Sequence, residues 1–238
     1  MTKAESWIEE NVVNQKEEIA EIAELSSRTI SEKFHIGISP SLTMAMYGET
    51  YNAILDVLKT KESQYKEFEI RIAGILSISY TSKSDDEDEK QGNFMIHLQQ
   101  INSGVLPDVT VEDDAENMTR KTITAWLSAN ITEQPEVMKE IEAKAVSRIS
   151  SVLGTKLVTS EMILPLFCTI HEQIISWIRI KRVDSGKSSY ELDVCGLYDI
   201  IICETDDGDE KIEYSPSVYG KLELKSDSDA LSYEEVDD

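Results

Sequence analysis

The chain has 238 residues, of which 40% are hydrophobic, so it is long enough to bury a core in one large domain or two small ones. Lysine and arginine total 23 against 46 aspartates and glutamates, which leaves a formal net charge of −23. Direct binding to nucleic-acid phosphates needs clustered cations, and the same negative field repels anionic lipid, so the charge argues against both and favours a basic protein partner.

The chain begins with two predicted helices. Apolar residues recur at helical spacing, with charged residues between them, at Ile19, Ile22, Ala23, Ile30 and Phe34. Asn14 and Glu17 have the spacing of a capping box that would begin this helix. Ser39 followed by Pro40 predicts the start of a second helix, because serine caps a helix well and proline is tolerated in its first turn.

A β-hairpin is predicted to follow. The apolar period changes to two at Phe68, Ile70, Ile72, Leu76, Ile78 and Tyr80. This alternation is typical of a strand with one buried face, and Gly74 within it indicates a bulge or a close approach by another element. The acidic residues 85–90 are predicted to form the hairpin loop, and residues 94–100 the antiparallel return strand.

The same order of features returns in the second half of the chain. Trp7 corresponds to Trp126, and Gln15 to Gln134. A one-residue slip then brings Ser27 and Arg28 onto Ser147 and Arg148. Further on, the alternating run of the first hairpin corresponds to Tyr190, Leu192, Val194, Gly196, Tyr198 and Ile200, and residues 218–224 are the predicted return strand. Few positions are identical, but the order of helices, caps and apolar phases agrees throughout.

The sequence therefore predicts an α+β fold made by internal tandem duplication of a helix–helix–β-hairpin unit, with the copies related by a pseudo-two-fold axis. A lone hairpin is only marginally stable, so we expect the two antiparallel hairpins to join into one sheet covered by the helices. The predicted organisation is a first copy at 1–101, an acidic connector at 102–119, a second copy at 120–225 and an acidic flexible tail at 226–238.

The sequence carries no catalytic signature. His35, His97 and His171 are not at metal-ligand spacing, and neither a Cys-x-x-Cys pair nor a glycine-rich phosphate loop occurs. We therefore expect no enzyme activity, no cofactor and no metal centre, although an enzyme of unfamiliar type that uses scattered carboxylates stays open. The acidic turns lack the spacing of an EF-hand, which leaves a weak surface cation site as the calcium alternative.

The candidate interaction residues lie in the two acidic turns and in the tail. They are Asp85, Asp86, Glu87, Asp88, Asp206, Asp207, Asp209 and Tyr233. Carboxylates at hairpin tips would attract a basic partner, and Tyr233, flanked by acidic residues, has the character of a short docking motif. The alternative is that the turns are solvated tips that only keep the protein soluble and discourage edge-to-edge aggregation.

Two binding functions are compatible with these features. The first is a non-enzymatic acidic protein-interaction module that acts as a structural or assembly component of a larger complex, and the lysine-, isoleucine- and glutamate-rich composition favours a phage or bacterial source. The second is an inhibitor that mimics nucleic acid and occupies a basic groove of a partner protein. Homo-oligomerisation is compatible with either function.

The expected compartment is cytoplasmic, or the virion if the protein is viral. The chain has three cysteines, Cys168, Cys195 and Cys203, and an odd count in one half argues against a disulfide framework. The first residues lack the apolar core of a signal peptide, and no apolar run approaches the roughly 18 residues that span a membrane.

Overall fold

The computed structural model describes residues 1–62, 64–65, 67–73, 76–82, 92–97, 115–205 and 207–216. Helices and strands occur in the same order in each half of the chain. The first half holds α1 (Lys3–Asn11), α2 (Lys16–Phe34), α3 (Pro40–Glu62), β1 (Glu67–Ile72), β2 (Leu76–Ser82) and β3 (Gly92–His97). The second half holds α4 (Ala115–Asn130), α5 (Pro135–Leu153), α6 (Ser160–Ser185), β4 (Ser189–Val194), β5 (Tyr198–Glu204) and β6 (Glu210–Pro216).

The α+β class is confirmed, but each half has three helices rather than the predicted two. Trp7 belongs to the separate helix α1, which begins with a capping box between Thr2 and Glu5. The predicted capping box of Asn14 and Glu17 is wrong, because α2 follows Gln15 in the left-handed conformation without a side-chain cap. Helix α4 begins at Ala115, inside the stretch predicted to be a flexible connector.

The long alternating strand predicted in each half is a tight hairpin of two strands. Ile72 pairs directly with Leu76 across the first hairpin, and Val194 pairs with Tyr198 across the second. Residues that pair directly lie on the same face of the sheet, so the apolar alternation passes through a three-residue turn without a change of phase. Periodicity alone therefore cannot separate this hairpin from one continuous strand.

The turn between β4 and β5 has a left-handed backbone at two successive residues, Cys195 and Gly196. The Leu197 amide donates a hydrogen bond of 3.0 Å to the Val194 carbonyl and closes the turn. Positive φ at both central residues matches the twist of the flanking strands. Ala73 has positive φ at the corresponding place between β1 and β2.

The predicted return strand of the second half is displaced. Strand β6 runs over Glu210–Pro216 and pairs antiparallel with β5, and the predicted residues 218–224 lie outside the described residues. Its charged residues Glu210, Lys211 and Glu213 resemble a loop in sequence. Lys211 and Glu213 alternate with Ile212 and Tyr214, which pack against the core. Charged side chains are common on an edge strand, since they discourage pairing with another chain.

The single four-stranded sheet is also wrong. The described strands form two antiparallel sheets, in the orders β1-β2-β3 and β4-β5-β6, and β3 lies beside β6. A third strand in each half supplies the pairing that a lone hairpin lacks, so the hairpins need not pair with each other.

The two halves share one hydrophobic core and exchange their helix contacts. Helix α3 packs on α5, α2 packs on α6, and α3 also contacts α6. Two glutamines form hydrogen bonds to the sheet of the opposite half. The side-chain amide of Gln15 bonds to the backbone of Glu191 and Asp193. The side-chain amide of Gln134 bonds to the backbone of Glu69 and Arg71. Buried residues of both halves form a single contiguous cluster.

Helices α2 and α5 correspond without the predicted one-residue slip. Each has 19 residues, follows a left-handed glutamine and ends at a left-handed residue, His35 or Gly154. Counted from Gln15 and Gln134, four of the five buried apolar residues of α5 coincide with buried apolar residues of α2, and the fifth, Ala145, falls on the buried Ser26. In this register Ala23 corresponds to Glu142 and Arg28 to Ser147, not to Arg148.

A close approach between α1 and α3 depends on Gly48. A Cβ atom at this position would lie 2.4 Å from two ring atoms of Trp7, which is itself buried. We expect Gly48→Ala to lower the free energy of unfolding by about 1–3 kcal/mol, because overpacking outweighs the gain in helix propensity. Urea denaturation measures the change. Gly37→Ala is the matched control, since a Cβ there meets no atom within 4 Å, and an equal loss in both variants would contradict the steric explanation.

Candidate interaction surface

The turn between β5 and β6 carries the predicted carboxylates that the structure describes. The Thr205 amide donates to the Asp209 carbonyl at 2.8 Å, and the Asp209 amide donates to the Thr205 hydroxyl at 3.1 Å. Gly208, at φ +82°, donates its amide to the Thr205 carbonyl. The backbone and Thr205 therefore hold the turn, and the exposed carboxylates of Asp207 and Asp209 are not needed for it.

Charge is compensated at the base of this turn but not at its tip. Arg179 of α6 donates to Glu210 at 2.7 Å, and Arg182 lies 3.4 Å from Glu204. Among the described residues, no ion pair involves Asp207 or Asp209. The helix thus neutralises the carboxylates that flank the turn and leaves the two at the tip facing solvent.

The other predicted interaction residues are Asp85, Asp86, Glu87, Asp88, Asp206 and Tyr233, and they lie outside the described residues. Apart from Asp206, these residues belong to two segments that are strongly charged in sequence. Residues 83–114 contain nine carboxylates and two lysines, and residues 217–238 contain seven carboxylates and two lysines. About half of the net charge of −23 therefore comes from these two segments.

The described histidine that lies deepest, His171, belongs to a buried aromatic cluster. The Tyr47 hydroxyl shares a hydrogen bond of 2.8 Å with His171 Nδ1 and another with the Tyr198 hydroxyl. The Tyr214 hydroxyl lies 3.4 Å from His171 Nε2, and Phe167 stacks on Tyr47 with ring centroids 4.7 Å apart. Helices α3 and α6 and strands β5 and β6 thus meet around one imidazole.

Burial determines the protonation state of this cluster. It lowers the pKa of the His171 imidazole to about 4, which keeps the ring neutral at physiological pH. It also raises the pKa of the Tyr47 and Tyr198 hydroxyls well above their usual range. His171 has no exposed surface, so its contacts hold α3, α6 and β6 together in the protein interior.

The described cysteines are packed or hydrogen-bonded as free thiols. Burial raises the pKa of the Cys168 and Cys195 thiols. Cys195 lies in the turn before β5, whereas Cys203 lies on that strand. Over the described ranges, no group of three or more histidine, cysteine or carboxylate side chains could hold a metal ion, and no helix is long and apolar enough to cross a membrane.

A second polar network joins the halves at α3 and α5. Glu49 is almost completely buried and accepts hydrogen bonds of 2.9 Å from the Trp7 indole and from Arg148 Nε. Arg148 also donates to Asp56 at 3.0 Å. One arginine of α5 therefore satisfies two carboxylates of α3, and Trp7 of α1 satisfies the remaining acceptor of Glu49.

The sequence pattern identified neither network. The spacing of the histidines argued only against a metal site, and it gave no sign that His171 contacts Tyr47 and Tyr214. Arg148 was aligned with Arg28, and nothing in the pattern distinguished it from an exposed arginine.

Comparison with protein-family models, with curated proteins and with solved structures gives no match for this chain. The interpretation of its surface therefore depends on the geometry and charge described above.

Proposed function

We propose that this protein is a non-enzymatic, acidic protein-interaction module, a structural or assembly component of a larger complex, that binds a basic surface of a partner protein. The observation that carries the proposal is the β5–β6 turn, where Asp207 and Asp209 are exposed and unpaired among the described residues while Arg179 and Arg182 neutralise the carboxylates beside them. The net charge of −23 supports it, because such a field attracts and orients a cationic partner.

The proposal is tested by neutralising the acidic turns. Affinity capture from the source cell with mass spectrometry identifies the retained protein, and stopped-flow kinetics then compares the wild type with a variant in which Asp85, Asp86, Asp88, Asp206, Asp207 and Asp209 become asparagine and Glu87 becomes glutamine. We expect association to slow about tenfold or more at low salt and to differ little at high salt, because charges at the edge of an interface act mainly on encounter. Stability should change by within about 0.5 kcal/mol, as is usual for exposed sites.

The control neutralises exposed carboxylates elsewhere, Glu32→Gln on α2 and Glu116→Gln on α4. These changes should alter the association rate much less. An unchanged rate for the turn variant at both salt concentrations would mean that the turns are only solvated tips, and the proposal would fail for this surface.

The second candidate, a nucleic-acid mimic that inhibits a partner, is favoured by the exposed glutamates of α1 and α2. Glu10, Glu17 and Glu24 all face solvent on these adjacent helices. Competition separates the two functions: a mimic is displaced from its partner by duplex DNA or RNA, whereas an assembly component is not.

We also propose that the two halves arose by tandem duplication. The repeated order of three helices and three strands, the left-handed backbone at Gln15 and Gln134, and the reciprocal bonds of these glutamines to the opposite sheet support this origin. In this view the exchanged packing of α3 on α5 and α2 on α6 is the interface of an ancestral symmetric dimer.

A further inference from the structure

A cavity of about 280 Å³ lies between α1, α2 and the start of α3. Its walls are apolar and comprise Ile8, Val12, Ile19, Ala20, Ala23 and Pro40. At about 30 Å³ per water molecule the cavity has room for roughly nine waters, which exceeds the volume of one aromatic side chain and is less than most small-molecule sites. Two alanines on α2 create the space, since each presents only a methyl group.

The second half differs at the corresponding positions. Counted from Gln134, Lys139 takes the place of Ala20, and Glu142 takes the place of Ala23. Glu142 is half-buried, and burial together with the nearby Glu161 raises the pKa of its carboxyl to about 7. Longer side chains therefore stand at the two positions of α5 that correspond to the alanines of α2, so this pair of alanines is particular to the first half.

The mouth of the cavity is charged. Glu9 of α1 and both Lys16 and Glu24 of α2 line the cavity, and all three are exposed. Among the described residues, no ion pair engages Glu9, Lys16 or Glu24. Glu10 and Glu17 lie nearby on the same helices and are also exposed, so carboxylates outnumber the single lysine. The surroundings of the cavity thus favour a cationic segment and disfavour the chain's own acidic residues 226–238.

We propose that this cavity, which we name the α1–α2 pocket, anchors one aromatic or large aliphatic side chain from a lysine- or arginine-rich segment of the partner protein. The inference rests on the proposed binding function and adds the position of the contact and the chemistry of the segment. The apolar walls remove the anchor side chain from water, and Glu9 and Glu24 pair with the flanking cations. Long-range attraction comes from the whole acidic surface, while the pocket supplies selectivity for an apolar residue.

Fluorescence anisotropy tests the pocket with two defined probes. One is a fluorescein-labelled oligolysine peptide with a central phenylalanine, and the other is the same peptide with alanine in its place. We expect the phenylalanine peptide to bind the full chain at least about tenfold more tightly, since burial of one aromatic side chain accounts for that ratio. Equal affinity for the two peptides would show charge attraction alone and would overturn the proposal.

Filling the pocket gives the second measurement. Ala23→Leu and Ala20→Leu should each abolish the preference for the phenylalanine peptide, and Ala20 is exposed, so its variant folds even if the buried Ala23 variant does not. Ala143→Leu, an exposed alanine of α5, is the matched control and should leave the preference intact. A preference that persists in Ala20→Leu would place the anchor elsewhere.

The same variants separate failure of the pocket from failure of the proposed function. If the turn variant loses its captured partner while Ala20→Leu binds it as the wild type does, the acidic interaction stands and the pocket is not used. If neither the turn variant nor Ala20→Leu changes partner binding but the wild type prefers the phenylalanine peptide, the pocket exists and the proposed role of the acidic turns is wrong.

Discussion

Replacement of Arg148 by methionine is expected to lower the free energy of unfolding by about 3 kcal/mol, because it leaves the buried carboxylate of Glu49 without its cationic partner. Glu49 is 4% exposed, so water cannot replace the lost ion pair. The Trp7 indole would still donate one hydrogen bond, which keeps the expected loss at the lower end of the range for broken buried pairs. Urea denaturation at neutral pH measures the change.

A double-mutant cycle isolates this interaction. In a background of Glu49→Gln, which removes the charge but keeps an acceptor for Trp7, the cost of Arg148→Met should fall to about 1 kcal/mol, the value of an ordinary hydrogen bond. Arg28→Met on α2 is the control, since this arginine is exposed and should contribute little. Equal losses for Arg148→Met with and without Glu49 would show that only the packing of the arginine stem matters.

Acidification is expected to destabilise the protein through His171. Its folded pKa is lowered to about 4, whereas an unfolded histidine titrates near 6.5, so the unfolded chain binds more protons between these values. The stability contributed by the neutral ring is complete above pH 6.5 and is lost as the pH falls toward 4. A difference of about two and a half units corresponds to roughly 3 kcal/mol over this window.

Three carboxyl groups oppose the destabilisation by acid that His171 causes. The contribution of His171 is therefore measured as the difference between the wild type and His171→Gln. Burial raises the pKa of Glu142 to about 7 and that of Asp199 to about 6, and it raises the pKa of Glu172 as well. These groups favour the folded state as the pH falls. Denaturation at pH 7 and pH 4.5 should show a steeper loss in the wild type than in His171→Gln, whose amide does not titrate.

His35→Gln provides the matched histidine control. His35 is exposed at the end of α2, and glutamine already adopts the same left-handed backbone at Gln15. This variant should keep the pH dependence of the wild type. If His171→Gln and the wild type lose stability in parallel, the imidazole is reached by water in the folded protein and the buried cluster is less closed than described.

Local pattern was enough to predict much of the secondary structure. The apolar spacing of Ile19, Ile22, Ile30 and Phe34 predicted the buried face of α2, and Pro40 predicted the start of α3. The β-alternation correctly identified Ile70, Ile72, Leu76 and Ile78 as core residues. It failed to identify the turn between them, because directly paired residues on two strands keep the same phase as neighbours on one strand.

The exposure of the β5–β6 turn could be predicted from the sequence, and its role in binding stays a prediction. Asp207 and Asp209 are exposed as expected, since several successive charges cannot be buried without partners. Sequence reasoning placed the return strand at residues 218–224, although Glu210 and Lys211 already belong to β6. The alanines of the α1–α2 pocket carried a signal only when compared with Lys139 and Glu142, which stand as far from Gln134 in sequence as the alanines stand from Gln15.

Composition and periodicity by themselves determined the strong negative charge, the α+β class and the faces of the helices and strands that are buried, because each depends on residue type and on spacing over a few residues. The tertiary structure decided which half packs on which. It placed Arg148 against Glu49, Gln15 against the opposite sheet and His171 among three tyrosines. These contacts join residues far apart in sequence, and their energies come from shape, burial and exclusion of water, which arise only when the helices have met.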